Sequence, residues 1–222
     1  MTQTIRNLIL DMDGVLWHGE TPLGDLPAFF AALAALDLDY ILATNNATKT
    51  LAQYVQKLAR FGADIPAECI LTSAETTGAY LARHYPPETR IYVLGEQGLW
   101  QALRSRRFSL LAVDGYISTT TTVDLVVVGY TRETAYPELA NAALLINRGA
   151  RFIGTNPDKT IPDELGFLPG AGAYLAFLAA ATGRKPTVIG KPNRFVFEEA
   201  MRRLDARTEE TAMVGEIGRA HV

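Results

Sequence analysis

The chain has 222 residues, of which 48% are hydrophobic, and a formal net charge of −3. This length allows one or two domains, and the hydrophobic content is sufficient for a buried core. The slightly acidic balance gives no basic surface for nucleic acid, and no apolar run is long enough to span a membrane. Because Cys69 is the only cysteine, no internal disulfide can form, and we expect a cytoplasmic protein.

The first part of the chain alternates strand patterns with amphipathic helix patterns. Continuous apolar runs predict strands over residues 8–10, 40–43 and 70–71. Helical periodicity predicts helices over residues 27–36, 51–61 and 76–84. Asp25 is placed to cap the first helix, and Gly62 to end the second. Such strands and helices indicate a parallel sheet covered on both faces, whose ligands bind beyond the carboxyl ends of the strands, where Asp11 and Thr44 lie.

A second unit is predicted to begin after the prolines that follow Tyr85. Further strands are predicted over residues 91–94, 110–113, 125–128, 152–153, 188–189 and 212–215. Helices are predicted over residues 136–147 and 195–204, and Asn193 is placed to cap the second of them. Gly170 and Gly172 lack the spacing of a dinucleotide-binding loop after a strand, so we interpret them as a loop that leads into a helix. Residues 87–184 therefore resemble an insertion into an α/β core.

Asp11 and Asp13 follow the first predicted strand and are separated by one residue. Side chains two residues apart in an extended segment point the same way, and Gly14 permits a sharp turn behind them. One carboxylate could then attack an electrophile while the other transfers a proton. The alternative is an ordinary strand-to-turn exit, where Asp and Gly are common for conformational reasons.

Two further places along the chain offer groups that suit an anion. Thr44 and Asn45 end the second strand, with a hydroxyl, an amide and backbone N–H groups at the same edge as the aspartates. A polar start to the next helix is the alternative. Lys191 lies between Gly190 and Pro192, and is either a cation on a short stiff turn or an ordinary exposed lysine.

Taken together, these motifs resemble those of one enzyme superfamily. Residues 11–14, 44–46 and 190–192 look like motifs I, II and III of the haloacid dehalogenase (HAD) superfamily of phosphotransferases. Residues 126–129, 152–158 and 169–172 are similar to its type IIA branch, which contains NagD, p-nitrophenylphosphatase and phosphoglycolate phosphatase. The resemblance implies a Rossmann-like core with a parallel sheet, residues 1–86 and 185–215, and an inserted α/β C2-type cap domain, residues 87–184.

The resemblance also implies a function and roles for the site residues. Asp11 would attack phosphorus and become an aspartyl-phosphate, while Asp13 would protonate the leaving oxygen and then activate water. Thr44 and Asn45 would hold the phosphoryl oxygens, and Lys191 would neutralise charge on the phosphate. The expected substrate is a small phosphomonoester of the sugar phosphate, nucleotide monophosphate, phosphoglycolate or p-nitrophenyl phosphate type.

A metal ion and a part of the cap domain complete the site that the resemblance implies. Mg²⁺ would bind the Asp11 carboxylate and the Asp13 backbone carbonyl. Asn156 and Asp158 are candidates for contact with the substrate, and the alternative is that they form an Asx-type turn around Pro157.

The sequence departs from the family pattern after Gly215, where the fourth motif should supply metal-binding aspartates. Glu216 stands at the place of the first, and no second acid follows. Residues 216–222 resemble a translated sequencing adapter, so we interpret them as a non-native tail and do not assign His221 to a metal. On this interpretation the chain is C-terminally truncated, and we expect it to be poorly active.

Two functions other than phosphomonoester hydrolysis are also compatible with these motifs. A HAD dehalogenase uses the first aspartate but needs no acid at the second position, so Asp13 favours phosphoryl transfer. A catalytically incompetent fragment, or a HAD-fold protein that binds a phosphorylated metabolite, would keep the first three motifs. Magnesium-dependent turnover of p-nitrophenyl phosphate separates these cases. No nucleic acid or membrane partner is expected, and the natural substrate and a homo-oligomeric state are left open.

Overall fold

The structure, a computed structural model, describes residues 4–215. Its strands are β1 (Asn7–Asp11), β2 (Trp17–His18), β3 (Thr21–Pro22), β4 (Asp39–Thr44), β5 (Ile70–Thr72), β6 (Arg90–Leu94), β7 (Ser109–Leu111), β8 (Leu125–Val128), β9 (Arg151–Gly154), β10 (Thr160–Asp163), β11 (Gly166–Pro169), β12 (Thr187–Val188) and β13 (Thr211–Val214). Its α-helices are α1 (Leu26–Ala35), α2 (Leu51–Arg60), α3 (Ser73–His84), α4 (Gln97–Arg104), α5 (Tyr136–Asn147), α6 (Ala171–Thr182) and α7 (Arg194–Leu204).

These elements fold as two compact units. The first unit consists of residues 4–44, 51–72 and 194–215, and the second of residues 45–50 and 73–193. Within the described residues, parallel strands form a sheet of order β13-β1-β4-β5 in the first unit. Another parallel sheet, of order β12-β9-β8-β6-β7, lies in the second unit. The prediction of an α/β fold with parallel sheets is therefore confirmed.

The sheet of the first unit is covered on both faces, because successive side chains of a strand point to opposite sides. Leu10 and Leu42 pack into the cluster formed with α1 and α2. Ile9 and Ile41 pack on the other side with Ala200 of α7. Burying each of these leucines and isoleucines fully stabilises the fold by roughly 1.5–3 kcal/mol. Continuous apolar strands are the sequence pattern that such a sheet requires.

In the first unit, the start of α1 and the end of α2 are each marked by one residue that the sequence predicts for that place. Asp25 caps α1, since its Oδ1 accepts a hydrogen bond from the backbone N–H of Ala28 across 2.9 Å. Gly62 follows α2 with a φ of +82°, a conformation that favours glycine. Both predictions are confirmed.

The second unit has its own core. Val126 and Phe152 of its sheet pack against Leu145 of α5 and Leu178 of α6. Gly170 stands directly before α6, so the interpretation of this residue as part of a lead into a helix is confirmed, whereas Gly172 already belongs to the first turn of α6 and not to a loop. Among the helices of residues 4–215, none has the length and apolarity needed to cross a membrane.

Some elements differ from the sequence prediction or were not predicted. The hairpins β2–β3 and β10–β11 consist of short strands with few buried side chains, which give no apolar run to detect. β12 pairs with β9, and the second unit extends to Asn193. The second unit, residues 45–50 and 73–193, therefore has other bounds than the predicted insertion, residues 87–184. The predicted domain boundaries stay a prediction.

Candidate active site

The end of β1 and the tight turn that follows it carry the two motif I aspartates. Oδ1 of Asp11, the last residue of β1, accepts a hydrogen bond from the backbone N–H of Met12 across 2.9 Å. The Met12 side chain is fully buried, which anchors the turn in the core. Gly14 adopts a φ of +83° and donates its N–H to the carbonyl of Trp17 across 2.8 Å. The turn leaves Asp11 and Asp13 half-buried at the carboxyl edge of the sheet.

The carboxylate of Asp13 is held from both of its oxygens. Oδ1 accepts a hydrogen bond from the indole Nε1 of Trp17 across 2.9 Å. Oδ2 accepts one from the Thr44 hydroxyl across 3.2 Å. Thr44 is the last residue of β4, which pairs with β1, so the parallel sheet brings it to this edge. The first unit therefore joins Asp13 and Thr44, as the sequence predicts for neighbouring strand ends.

The ring of Trp17 is itself held by α2. Trp17 is fully buried, and the Lys57 ammonium lies 4.6 Å from the centroid of its ring. The Lys57 side chain is only 5% exposed; its Nζ donates to the carbonyl of Gly19 across 2.6 Å and lies 3.5 Å from Glu20 Oε1. A cation over an aromatic face is attracted to it, and more strongly when water is excluded. Lys57 thus ties α2 to the β2–β3 hairpin beneath Asp13.

Tyr54, one turn before Lys57, completes the surroundings of Asp13. Its ring stacks near Trp17, with the centroids 6.5 Å apart. Its hydroxyl is buried and has no hydrogen-bond partner among the described residues, although Thr44 lies close to it. Burial and, to a smaller extent, the charge of Asp13 raise the pKa of Tyr54, so the hydroxyl stays neutral.

Trp17, Tyr54 and Lys57 are not among the site residues that the sequence predicts. One signal was available, because Tyr54, Lys57 and Leu58 share the spacing of the buried stripe of α2. A lysine on the apolar face of an amphipathic helix needs a partner. That partner comes from a hairpin far along the chain, which the sequence pattern does not show.

The remaining predicted site residues lie in the second unit, and the structure brings them together. The side-chain Oδ1 of Asn45 accepts from the backbone N–H of Lys191 across 2.8 Å. Its Nδ2 donates to the backbone carbonyl of Lys191 across 2.9 Å and to Oδ1 of Asp158 across 3.3 Å. Motifs II and III are thus joined through one side-chain amide.

Asn156 and Asp158 form part of the same cluster. Asn156 is 4% exposed, and its Nδ2 donates to the backbone carbonyl of Asn45 across 2.8 Å. Its Oδ1 accepts the backbone N–H of Asp158 across 3.2 Å, which is an Asx-type turn around Pro157. Asp158 is exposed. Of this pair, Asn156 therefore supports the backbone around Asn45, whereas Asp158 faces solvent.

The donors of the first turn fit the metal that the resemblance implies. Mg²⁺ prefers hard oxygen ligands and is commonly bound by one or two carboxylates, with water and substrate phosphate completing its coordination. The Asp11 carboxylate and the Asp13 backbone carbonyl, which are the ligands that the resemblance implies, are oxygens of this kind. Within residues 4–215, no three His, Cys, Asp or Glu side chains cluster as a metal site.

The place of the fourth motif follows β13, which runs parallel to β1. Gly215 lies beside Asp11, since a Cβ at Gly215 would be 3.9 Å from the Cβ of Asp11. Glu216 and His221 lie outside the described residues, so the predictions made for them and for residues 216–222 stay predictions.

Comparison with known proteins identifies the family. Residues 8–109 match the family described as haloacid dehalogenase-like hydrolase. The chain is 35% identical to 5'-nucleotidase YutF of Bacillus subtilis over 216 residues, which cover 96% of this chain and 80% of the relative. It is 34% identical to an acid sugar phosphatase of Staphylococcus epidermidis over 94% of this chain and 78% of the relative.

Solved structures agree with these relatives. A variant of the thermostable p-nitrophenylphosphatase of Bacillus stearothermophilus is 33% identical and superposes with a TM-score of 0.84, covering 97% of this chain and 81% of that chain. The α/β fold with a cap domain, implied by the sequence motifs, is thereby confirmed. Since each relative is more than 30% identical and most of its length is covered, the chain belongs to the haloacid dehalogenase-like hydrolases, in their type IIA phosphatase branch.

Proposed function

We propose that the chain is a Mg²⁺-dependent phosphomonoester hydrolase that works through an aspartyl-phosphate on Asp11. The observation that carries the proposal is the turn after β1, where Asp13 is held by Trp17 and Thr44 two residues beyond Asp11. The two carboxylates have different surroundings, which is the condition for giving them different chemical roles.

In the first half of the reaction, a carboxylate oxygen of Asp11 attacks phosphorus in line with the ester oxygen. The bond between phosphorus and the ester oxygen breaks, and Asp13 gives its proton to that leaving oxygen. In the second half, Asp13 takes a proton from water as the water oxygen attacks phosphorus. The bond between phosphorus and Asp11 then breaks, which releases inorganic phosphate and restores the Asp11 carboxylate and the protonated Asp13.

Charge on the phosphoryl group has to be balanced during both steps. We propose that Thr44 and the backbone N–H groups at Asn45 hold phosphoryl oxygens, and that the Lys191 ammonium neutralises negative charge. Mg²⁺, held by the Asp11 carboxylate and the Asp13 carbonyl, would supply further positive charge when bound.

The substrate class rests on the named relatives. A 5'-nucleotidase, an acid sugar phosphatase and a p-nitrophenylphosphatase share this fold family, so we propose a small phosphomonoester, with nucleotide monophosphates and sugar phosphates as the first candidates. Asp158 is exposed in the second unit and is proposed as a substrate contact. The buried amide of Asn156 supports a structural role instead.

The test measures p-nitrophenol released from p-nitrophenyl phosphate with Mg²⁺ and after its removal by a chelator, and phosphate released from nucleotide and sugar monophosphates. Acid-quenched turnover should leave one phosphoryl group on the peptide that contains Asp11. A chain that binds inorganic phosphate in the presence of Mg²⁺ but turns over no ester would instead support the alternative of a catalytically incompetent fragment or a phosphometabolite-binding protein.

A further inference from the structure

The side-chain amide of Asn45 pairs with both backbone polar groups of Lys191. Its oxygen accepts the Lys191 N–H across 2.8 Å, and its nitrogen donates to the Lys191 carbonyl across 2.9 Å. Two antiparallel hydrogen bonds of this kind imitate a residue pair in a β-ladder. Because a backbone N–H only donates and a carbonyl only accepts, the pairing also fixes which end of the amide is oxygen.

Both N–H donors of the Asn45 side-chain amide are already used within the protein. An amide nitrogen carries two N–H donors. One of them goes to the Lys191 carbonyl, and the other to the Asp158 carboxylate across 3.3 Å. The side chain of Asn45 is therefore committed to the backbone of motif III, so it would have to give up a partner before it could donate to a phosphoryl oxygen.

A second layer of contacts holds Asn45 itself. Its backbone carbonyl accepts from Nδ2 of the buried Asn156 across 2.8 Å and from the Ser73 hydroxyl across 2.5 Å. On the other side, Gly190 donates its N–H to the Thr155 carbonyl across 2.7 Å. The cluster thus fixes the backbone on both sides of the pairing.

Gly190 shows how closely these segments approach one another. A Cβ at Gly190 would lie 2.6 Å from the Thr155 carbonyl oxygen and 2.8 Å from Oδ1 of Asn45. Such distances do not occur for real side chains, so only glycine fits before Lys191. The backbone of Lys191 is held in place by its surroundings rather than by its own turn alone.

We propose that Asn45 is a positioning residue that acts through Lys191 and is not a side-chain ligand of the phosphoryl group. A lysine has four flexible methylene groups, so fixing its backbone reduces the freedom that must be lost when its ammonium group meets an anion. The inference rests on the proposed function, because that function gives Lys191 its task.

A double-mutant cycle tests the proposal. In the unaltered chain, Asn45→Ala should lower kcat/KM about ten- to a hundredfold, since both hydrogen bonds to the Lys191 backbone are lost. In a Lys191→Ala background the same change should cost less than about threefold, because the cation to be positioned is gone. An equal loss in both backgrounds would overturn the proposal, since the side chain would then act on the phosphate independently of Lys191. The same cycle read in the dissociation constant for inorganic phosphate needs no turnover.

Asn141→Ala is a matched control for lost stability. Asn141 is a buried asparagine that, like the half-buried Asn45, joins two backbone groups: its Nδ2 donates to the Gly115 carbonyl across 2.8 Å and its Oδ1 accepts the Ile117 N–H across 3.0 Å. The melting temperature should fall for both asparagine variants. Only Asn45→Ala should couple to Lys191→Ala, and equal coupling by both would count against a specific role.

Hydrogen exchange measures the pairing without any activity. The backbone N–H of residue 191 should be protected both in the unaltered chain and in Lys191→Ala. Its protection factor should be at least about tenfold lower in Asn45→Ala. Unchanged protection in Asn45→Ala would overturn the proposal. If the unaltered chain neither hydrolysed nor bound phosphate, the proposed function and the positioning role would both fall, while the exchange result would still show whether the pairing exists.

Discussion

The indole N–H of Trp17 donates to Oδ1 of Asp13 across 2.9 Å, from a ring that is fully buried. An indole nitrogen can only donate, so Oδ1 is reserved as an acceptor. The Thr44 hydroxyl at Oδ2 can rotate, because a hydroxyl both donates and accepts. If Asp13 acts as the proposed acid and base, the oxygen next to Thr44 is therefore the one that would carry the proton.

Trp17→Phe should lower kcat/KM about tenfold. The decrease should be larger for esters with poor leaving groups than for esters with good ones. The substitution removes one hydrogen bond to Asp13 while keeping an aromatic ring in contact with Tyr54 and Lys57. Turnover of a series of aryl phosphates with leaving groups of different pKa measures the effect. The smaller ring should also lower the free energy of unfolding by about 1–3 kcal/mol.

Trp100→Phe is the control for that substitution. Trp100 also donates its indole N–H, to the Gly95 carbonyl across 3.1 Å, and stacks with Arg104. It should lose stability without any change in leaving-group dependence. A steeper dependence in Trp100→Phe as well would show that the effect is a general response to destabilisation.

Asp11→Asn should lower turnover by at least about a thousandfold, because the amide is a poor nucleophile toward phosphorus. The fold should be kept, since the amide oxygen can still accept the Met12 N–H. Steady-state kinetics and thermal unfolding check the two expectations. Asp25→Asn makes the same chemical change at a helix cap, where asparagine serves equally well, and should stay within about twofold. Substantial activity in Asp11→Asn would remove the nucleophile assignment.

Asp13→Asn should cause a severe loss that is partly relieved by substrates with good leaving groups, because those need less protonation. The amide oxygen of the new asparagine can accept the hydrogen bond from Trp17. Its NH₂ group then lies beside Thr44 and can donate to the Thr44 hydroxyl oxygen. The fold should therefore tolerate the change. A loss of equal size for nitrophenyl and alkyl phosphates would contradict the general-acid role.

Lys57→Met should lower the free energy of unfolding by about 1–3 kcal/mol in urea titrations, since it leaves the Gly19 carbonyl without this donor. Arg60→Met is the matched control. Arg60 contacts the same Glu20, 3.1 Å from Oε2, but its side chain is 65% exposed. Exposed ion pairs contribute little, so this control should lose less than about 1 kcal/mol. Equal losses would show that burial of Lys57 adds nothing.

The sequence predicted those parts of the fold that depend on neighbouring residues. The apolar runs at residues 8–10 and 40–43 lie in β1 and β4, and the helix over residues 136–147 coincides with α5. Parallel pairing of β1 with β4 brings Thr44 to the sheet edge that the turn carrying Asp13 leaves, as expected for neighbouring strand ends.

Contacts between distant segments could not be predicted in the same way. The pairing of Asn45 with Lys191 spans residues that are 146 positions apart, and nothing in either local pattern specifies it. The hairpin of β10 and β11 has mostly exposed side chains, so it lacks a hydrophobic signature. From the sequence alone Lys57 is an ordinary exposed lysine, because its contact with the ring of Trp17 joins distant segments.

Residues 45–50 belong to the second unit although the chain on both sides of them belongs to the first. Gly98 of α4 touches this segment so closely that a Cβ there would lie 2.3 Å from the Lys49 carbonyl oxygen. Its N–H donates to the carbonyl of Thr48 across 2.8 Å. For protein engineering, the transplantable module is therefore discontinuous: a chimaera that exchanges residues 73–193 has to exchange residues 45–50 as well, or the loop carrying Asn45 loses the scaffold that shapes it.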